Sequence, residues 1–249
     1  MSDSIGSEFM RKTSYPYLPV SPQDSGIPQP PLELAPPEGA KLLALPPVAK
    51  INMPAVDLRL AMESRVSVRS YSNQAVMLDE LSCLLWLTQG VRRVSTRPVT
   101  LRNPPSAGGR HAFETYLVIN RVKEVPPGLY RYAALEHALL EINLSPDVND
   151  RITHACLNQQ QVASCAVTFL WTAVVERMYW RYTERGYRYL LMDAGHVCQN
   201  LYLAAEALGC GVCALGAFDD DVLNSILGVD GETQFVVYGG TLGKRLEKE

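Results

Sequence analysis

Apolar and polar positions change period repeatedly after Val56, and each change predicts an element. VDLRLAMESR (56–65) has the spacing of a short helix. Leu78 to Gly90 opens on acids, places Leu81, Leu84, Leu85 and Thr88 on one face, and stops at a glycine, as a helix does. Residues 91–105 are polar and end in Asn103-Pro104-Pro105, which predicts a loop. FETYLVIN (113–120) has strand composition, and GLYRY and HALLEIN predict a strand pair turning around Ala133 to Glu136. Pro146 suits the first turn of a further helix. CAVTFLWTAVV (165–175) reads as a buried central strand. The longest periodic stretch is 187–209, where Leu190, Ala194, Val197, Leu201, Ala204, Ala205 and Leu208 share a helical face and Gly209 stands at the C′ position. VCALGAF, DDDVLNSILG and TQFVVYGGTLG follow as strand, short helix and strand. No repeat is present. The reading is one α/β (α+β) domain, with helices on both faces of a mixed central sheet.

Composition changes this picture mainly at the N-terminus. Ten of the 17 prolines precede residue 50, so residues 10–55 are expected as a proline-rich arm ahead of a domain at 56–249. That arm either wraps a partner subunit or hangs as a disordered tail. Residues 1–9, MSDSIGSEF, resemble an expression leader before Met10. The net charge of −3 argues against a nucleic-acid partner. No run of about 18 apolar residues suggests a membrane span, and the N-terminus lacks the build of a secretory signal, so a cytoplasmic location is expected. Six scattered cysteines read as reduced core thiols. Cys210 and Cys213 form a C-x-x-C with no second pair, which leaves a zinc tetrahedron incomplete, and the expected metal content is none. His196, mid-helix, is expected to be a satisfied core or packing histidine.

Candidate chemistry starts at SRVSVRSY (64–71). Extended backbone would put Arg65, Ser67 and Arg69 on one side and Val66 and Val68 on the other. Two guanidinium groups beside a hydroxyl suit a phosphate, although a solvated strand edge has the same pattern. Pro105-Ser106-Ala107-Gly108-Gly109 permits positive φ and close backbone approach to a ligand, or forms an ordinary turn. Leu215-Gly216-Ala217 follows an apolar strand, where ligand clefts are often lined, and is also a plain strand-to-helix turn capped by Asp219. Lys244 and Arg245 add cations at the end of the last strand. Gly209-Cys210-Gly211-Val212-Cys213-Ala214 fits G-x-G-x-x-A formally, but it closes a helix and enters a strand, the reverse of a dinucleotide fingerprint.

The ordered set R-x-S-x-R, LLWLTQG, PSAGGRHAFETYLVI, PPGLYRYAALEHALLEI, RYLLMDAGHVCQNLYLAAEALGCG and ALGAFDDDVLNSILGVDGE resembles the SagB-type branch of the FMN-dependent nitroreductase superfamily over roughly residues 56–245. The resemblance implies a nitroreductase-like three-layer sandwich, an interlocked homodimer, and FMN at the subunit interface. It gives Arg65, Ser67 and Arg69 the ribityl phosphate and the pyrimidine edge of the flavin. A fixed guanidinium at Arg69 would also stabilise the negative charge of reduced flavin. Ser106, Ala107, Gly108 and Gly109 would reach the flavin from the partner subunit, Leu215, Gly216 and Ala217 would lie near N5, and Lys244 with Arg245 would complete the phosphate clamp.

Azoline-oxidising members of that branch carry a Lys-Tyr pair ahead of the long helix. Here Trp180-Arg181-Tyr182 stands there, so tyrosine is kept and the lysine is Arg181. An arginine stays protonated and cannot act as a general base. Arg181 would orient a carbonyl or stabilise an anion, Tyr182 would relay a proton, and these two are the candidate catalytic residues. The implied activity is hydride transfer between flavin N5 and a small-molecule or peptide-derived substrate, such as azoline-to-azole or Cα–Cβ dehydrogenation in natural-product biosynthesis, with biosynthetic partner enzymes. Two alternatives stand beside it: an NAD(P)H-dependent nitro or quinone reductase, with NADPH or NADH as donor, and a non-catalytic partner subunit of a biosynthetic complex.

Overall fold

The computed structural model describes residues 4–96 and 99–246. Its helices are α1 (Ile5–Lys12), α2 (Leu58–Ser64), α3 (Leu78–Gln89), α4 (Val148–Ala155), α5 (Gln160–Ser164), α6 (Val175–Tyr182), α7 (Gly186–Ala207) and α8 (Asp220–Leu227). Its strands are β1 (Leu42–Ala44), β2 (Val91–Val94), β3 (Thr100–Arg102), β4 (Phe113–Ile119), β5 (Gly128–Ala133), β6 (Ala138–Asn143), β7 (Val167–Val174), β8 (Cys210–Leu215) and β9 (Gln234–Lys244). Seven strands form one sheet in the order β1-β6-β5-β4-β7-β9-β8.

Both faces of the sheet are covered, which is why its central strands read as continuous apolar runs rather than alternating ones. Phe113, Leu117, Phe169, Trp171 and Val212 point to the side packed by α3 and α7. Tyr116, Val118, Leu170, Leu215 and Val236 point to the side packed by α4, α5 and α8. Each fully buried leucine in these layers contributes roughly 1.5–3 kcal/mol. The result is the expected three-layer α+β sandwich.

The structure corrects several expectations. Every strand pair of the seven-stranded sheet is antiparallel, and among the described residues parallel pairing is confined to single bridges such as Ser67 to Val212. Residues 91–105 are not simply a loop, because β2 and β3 pair as a hairpin. The buried Arg102 anchors that hairpin by donating from Nη1 to the Gln89 carbonyl and side chain at 3.1 and 2.9 Å. His196 is exposed on α7 rather than packed, with Nδ1 3.9 Å from Asp193. The segment carrying Trp180, Arg181 and Tyr182 continues β7 directly as α6.

The proline-rich arm lies on its own chain. Arg177 of α6 donates to the Pro31 carbonyl at 2.9 Å, and Arg131 of β5 donates to the Leu34 carbonyl at 2.8 Å. The Leu34 amide in turn donates to Glu114 of β4 at 2.9 Å. Arg177 and Glu114 form a buried ion pair at 2.6 Å. Further along the arm, β1 pairs with β6. The chain thus supplies donors and acceptors that a proline-rich segment cannot provide for itself.

Glu33 is the arm's buried carboxyl, accepting from the Ala134 and Leu135 amides at 2.5 and 3.3 Å. Burial, and then the neighbouring Glu114 carboxylate, push its pKa up from 4.5 to about 7. The docked arm therefore binds this proton more tightly than a released one. Docking is strongest below about pH 4.5, weakens as pH rises, and is weakest above about 7. Amide exchange in residues 28–36 is expected to be slower at pH 5.5 than at pH 8 after correction for intrinsic rates. Glu33→Gln should flatten that difference, and a difference that persists in the variant would remove Glu33 as its source.

Candidate functional site

The candidate residues gather in two clusters on opposite edges of α7. Around the first, residues 65–69 run extended along the outer edge of β8, and the Val68 amide donates to the Val212 carbonyl at 2.9 Å. A Cβ on Gly211 would meet Val68 at 2.5 Å, so glycine at that position is what lets the segment come so close. Ser67 Oγ and Tyr202 Oη are 3.0 Å apart, and Tyr202 Oη accepts from the Ala214 amide at 2.8 Å. The Arg65 guanidinium lies 5.2 Å from the centre of the Tyr202 ring. The Arg-Ser edge is thereby fixed to β8, next to Leu215-Gly216-Ala217. Of the two valines on the opposite side of this segment, Val68 packs against Gly211 and Val66 is 54% exposed.

Arg65 and Arg69 have no carboxylate partner among the described residues. Lys244 and Arg245 differ. Lys244 Nζ donates to Glu80 at 2.6 Å and to the Leu208 carbonyl at 2.8 Å. Arg245 pairs with Glu206 and donates to the Cys210 carbonyl. Glu80 also accepts from the Met77 amide at 2.9 Å and so caps α3. Leu215 is buried, Gly216 lies beside Tyr238, and the Ala217 carbonyl accepts from Gln159 at 2.7 Å.

The second cluster forms where the loop after β3 meets α6 and α7. Gly108 and Gly109 have φ of 58° and 65°, values that favour glycine. The Ala107 amide faces both Asp193 carboxylate oxygens at 3.3 Å, and Ser106 Oγ accepts from the His111 amide at 2.9 Å. Burial raises the Asp193 pKa, against the lowering by its bonds to Ser106 and Ala107. His111 is pushed down to about 3, first by burial and then by Arg102, Arg110 and Arg92, so it is neutral at pH 7. Tyr182 Oη and Arg181 Cδ lie directly over Gly108, where a Cβ would collide with the hydroxyl. The Tyr182 ring makes an edge contact with Tyr189 at 4.8 Å between centroids. The candidate pair and the Gly-Gly loop are therefore one unit. Thr183, next in sequence, has φ 48° and ψ −137°. That is a strained conformation for a β-branched residue, costing on the order of 1–3 kcal/mol.

Tyr202 lies nine positions after Asp193, about two and a half helical turns, so they face opposite sides of α7 roughly 13.5 Å apart along its axis. One chain does not bring its Ser106–Gly109 loop to its own Arg65–Arg69 edge. Sequence reasoning missed Tyr202, Asp193 and Arg110. Their signal lies in tertiary contact rather than in any local pattern: Tyr202 and Asp193 read as parts of a helix, and Arg110 as a loop cation. Among the described residues no group of histidine, cysteine or acidic side chains is arranged to hold a metal, and all six cysteines are free and buried.

Gly108→Ala would strain the backbone and drive a methyl into Tyr182. A loss of about 1–2 kcal/mol in denaturant-derived stability is expected. Combining it with Tyr182→Phe, which removes the colliding hydroxyl, should cost less than the sum of the two single changes. Strict additivity would show that the loop and Tyr182 are not in contact.

Comparison with known proteins bears on the fold and family. The model of the Nitroreductase family matches residues 62–244. A Methanocaldococcus jannaschii protein named as a nitroreductase candidate, MJ1384, is 34% identical over 185 residues, covering 74% of this chain and 88% of its own. The trifolitoxin-processing protein TfxB of Rhizobium leguminosarum bv. trifolii is 29% identical over 130 residues; the match covers 51% of this chain and only 35% of TfxB. Among solved structures, a nitroreductase candidate from Anabaena variabilis superposes with TM-score 0.68 at 28% identity, over 84% of this chain and 42% of that one. The E. coli microcin synthetase McbBCD complex contains a chain sharing the fold with TM-score 0.61 at 16% identity, over 98% of this chain and 92% of that one. By the family match over most of its length, the chain belongs to the nitroreductase family.

Proposed function

We propose that the protein is an FMN-dependent oxidoreductase of the SagB-like kind, working as a homodimer on a small or peptide-derived substrate. The observation that carries this reading is the placement of two incomplete half-sites on opposite edges of α7. Two copies of the chain would supply the Arg65–Ser67–Arg69 edge from one protomer and the Ser106–Gly109 loop from its partner. The exposed apolar residues Leu58, Leu60 and Met62 of α2, Val66, and Leu191 and Met192 of α7 give such a pairing a surface to bury. The similarity to TfxB, a trifolitoxin-processing protein, supports a role in processing a biosynthetic product.

The donor set fits the cofactor. Arg65 and Arg69 lack acidic partners, and with the Ser67 hydroxyl they suit a phosphate. Lys244 and Arg245 would join the clamp only by exchanging Glu80 and Glu206 for it. Leu215, Gly216 and Ala217 form the β8 exit that would border the flavin ring. When bound, FMN would supply a two-electron hydride acceptor or donor. Arg181, permanently charged, would orient the substrate, and Tyr182, held against Gly108, would hold or pass a proton at Oη. The absence of lysine at Arg181 weighs toward anion recognition rather than proton abstraction at that position.

Arg65→Ala and Arg69→Ala should each weaken FMN retention by about 1.5–3 kcal/mol, the usual value of a hydrogen bond to a charged group. Equilibrium dialysis would measure this, and unchanged affinity in both variants would reject the phosphate role. Sedimentation velocity should give a dimer; FMN bound by a monomer would remove the shared site. Tyr182→Phe should keep flavin and lower turnover, and a fully active variant would clear Tyr182 of a proton role. Rapid anaerobic bleaching of bound FMN by NADPH would favour a reductase, whereas protein that stays colourless with added FMN would favour a non-catalytic partner.

A further inference from the structure

The N-terminal arm does more than cover the fold. Its Tyr15, Leu18 and Val20 face Arg181, Tyr182 and Thr183 across a cleft of about 240 Å³. That is below the roughly 300–1,000 Å³ of pockets that enclose whole drug-sized ligands, so the cleft suits one side-chain-sized part of a larger molecule. Its walls are aromatic and aliphatic, and its charge is unbalanced. Arg110 lies behind Arg181, buried, with its guanidinium 4.9 Å from the Trp180 ring centre and donating to the Arg177 carbonyl and Gln29. Arg185 is already committed: it donates to Tyr189 Oη at 2.8 Å and the Thr13 carbonyl at 3.1 Å, and stacks 4.6 Å from the Tyr15 ring centre. Among the described residues Asp24 is the one carboxylate lining the cleft, and it accepts from Ser21.

Two donors remain. Arg181 is exposed and has no carboxylate partner among the described residues; its contact is the Tyr182 ring, 5.6 Å away. Thr183, which lines the cleft, is 2% exposed, and its hydroxyl has no hydrogen-bond partner among the described residues. A buried unpaired hydroxyl is costly, and here it belongs to the residue whose backbone is also strained. One free guanidinium beside one unpaired hydroxyl, between aromatic walls, matches a planar monoanion on an apolar body. A phosphate dianion would call for more than a single uncommitted cation, and a neutral group would leave Arg181 unmatched.

We infer that this cleft is the substrate's carboxylate subsite, with Arg181 as its anion-binding residue and the arm segment Tyr15–Val20 as its outer wall. The inference rests on the oxidoreductase reading for the identity of the substrate, and it names that substrate's class: a carboxylate next to an apolar or aromatic group. Such a carboxylate belongs either to a free acid or to a peptide's C-terminus.

Titration calorimetry on the full chain would use N-acetyl-phenylalanine, its amide, and N-acetyl-Gly-Gly-Phe as probes. The acid is expected to bind at least tenfold more tightly than the amide. Arg181→Gln should erase that preference, Arg181→Lys should keep part of it, and Val20→Trp, a change at an exposed position, should block the acid by filling the cleft mouth. Tighter binding of the tripeptide acid than of N-acetyl-phenylalanine would assign the carboxylate to a peptide end, and the reverse to a free acid. Equal binding of acid and amide, a preference that survives in Arg181→Gln, or acid binding untouched by Val20→Trp would overturn the inference. FMN content is measured on the same samples. Loss of carboxylate discrimination in flavin-loaded protein defeats the cleft alone, and discrimination in protein that takes no FMN defeats the cofactor reading alone.

Discussion

The buried pair between Arg177 of α6 and Glu114 of β4 is the constraint on which the candidate site depends. Both side chains are almost fully removed from solvent. Such a pair gains little net stability over an apolar substitute, yet breaking it strands a charge at a cost of about 3–5 kcal/mol. Its value here is positional. Glu114 also receives the Leu34 amide, and Arg177 also donates to the Pro31 carbonyl. One ion pair therefore ties together a central strand, the helix that ends in Arg181 and Tyr182, and the arm that walls the cleft beside them. The angle at which α6 leaves β7 is held by charge, and the candidate pair sits at the far end of that lever.

The long helix α7 organises the rest. Its apolar stripe packs on the sheet through Leu190, Ala194, Val197 and Leu201. Asp193 and Tyr202 flank this stripe on opposite edges, each fixing one cluster: Asp193 the loop of Ser106 to Gly109, Tyr202 the Arg65–Ser67 edge. A helix cannot bend one edge round to the other, so the clusters stay apart within a chain. That geometric fact motivates a site completed by a second copy. Close approach at both clusters depends on glycine, since Gly211 admits Val68 and Gly108 admits Tyr182.

The electrostatics follow the same division. The cations of the first cluster split into Arg65 and Arg69, which lack acidic partners, and Lys244 and Arg245, which are neutralised by Glu80 and Glu206. In the second, Arg110 is buried with neutral partners and its pKa is lowered, chiefly by burial and next by Arg181. A local excess of positive charge thus arises in a chain whose overall charge is negative.

Sequence alone determined most of the framework. The periods of Leu78–Gly90, 113–120, 165–175 and 187–209 marked α3, β4, β7 and α7, because burial on a sheet face or along a helix stripe leaves a repeat that a single chain displays. It also nominated the two loops and, through the resemblance, Arg181-Tyr182 as candidate chemistry. Strand direction, the pairing of β2 with β3, the exposure of His196 and Val66, and the seating of the arm were decided only in three dimensions. They depend on partners far apart in sequence: Glu114 with Arg177, Arg131 with Leu34, Ser67 with Tyr202. A local pattern records how much of a residue is buried, but not which distant atom satisfies its hydrogen bond or charge. For that reason the proline content announced an arm, and only the packed donors of β4, β5 and α6 revealed where it lies.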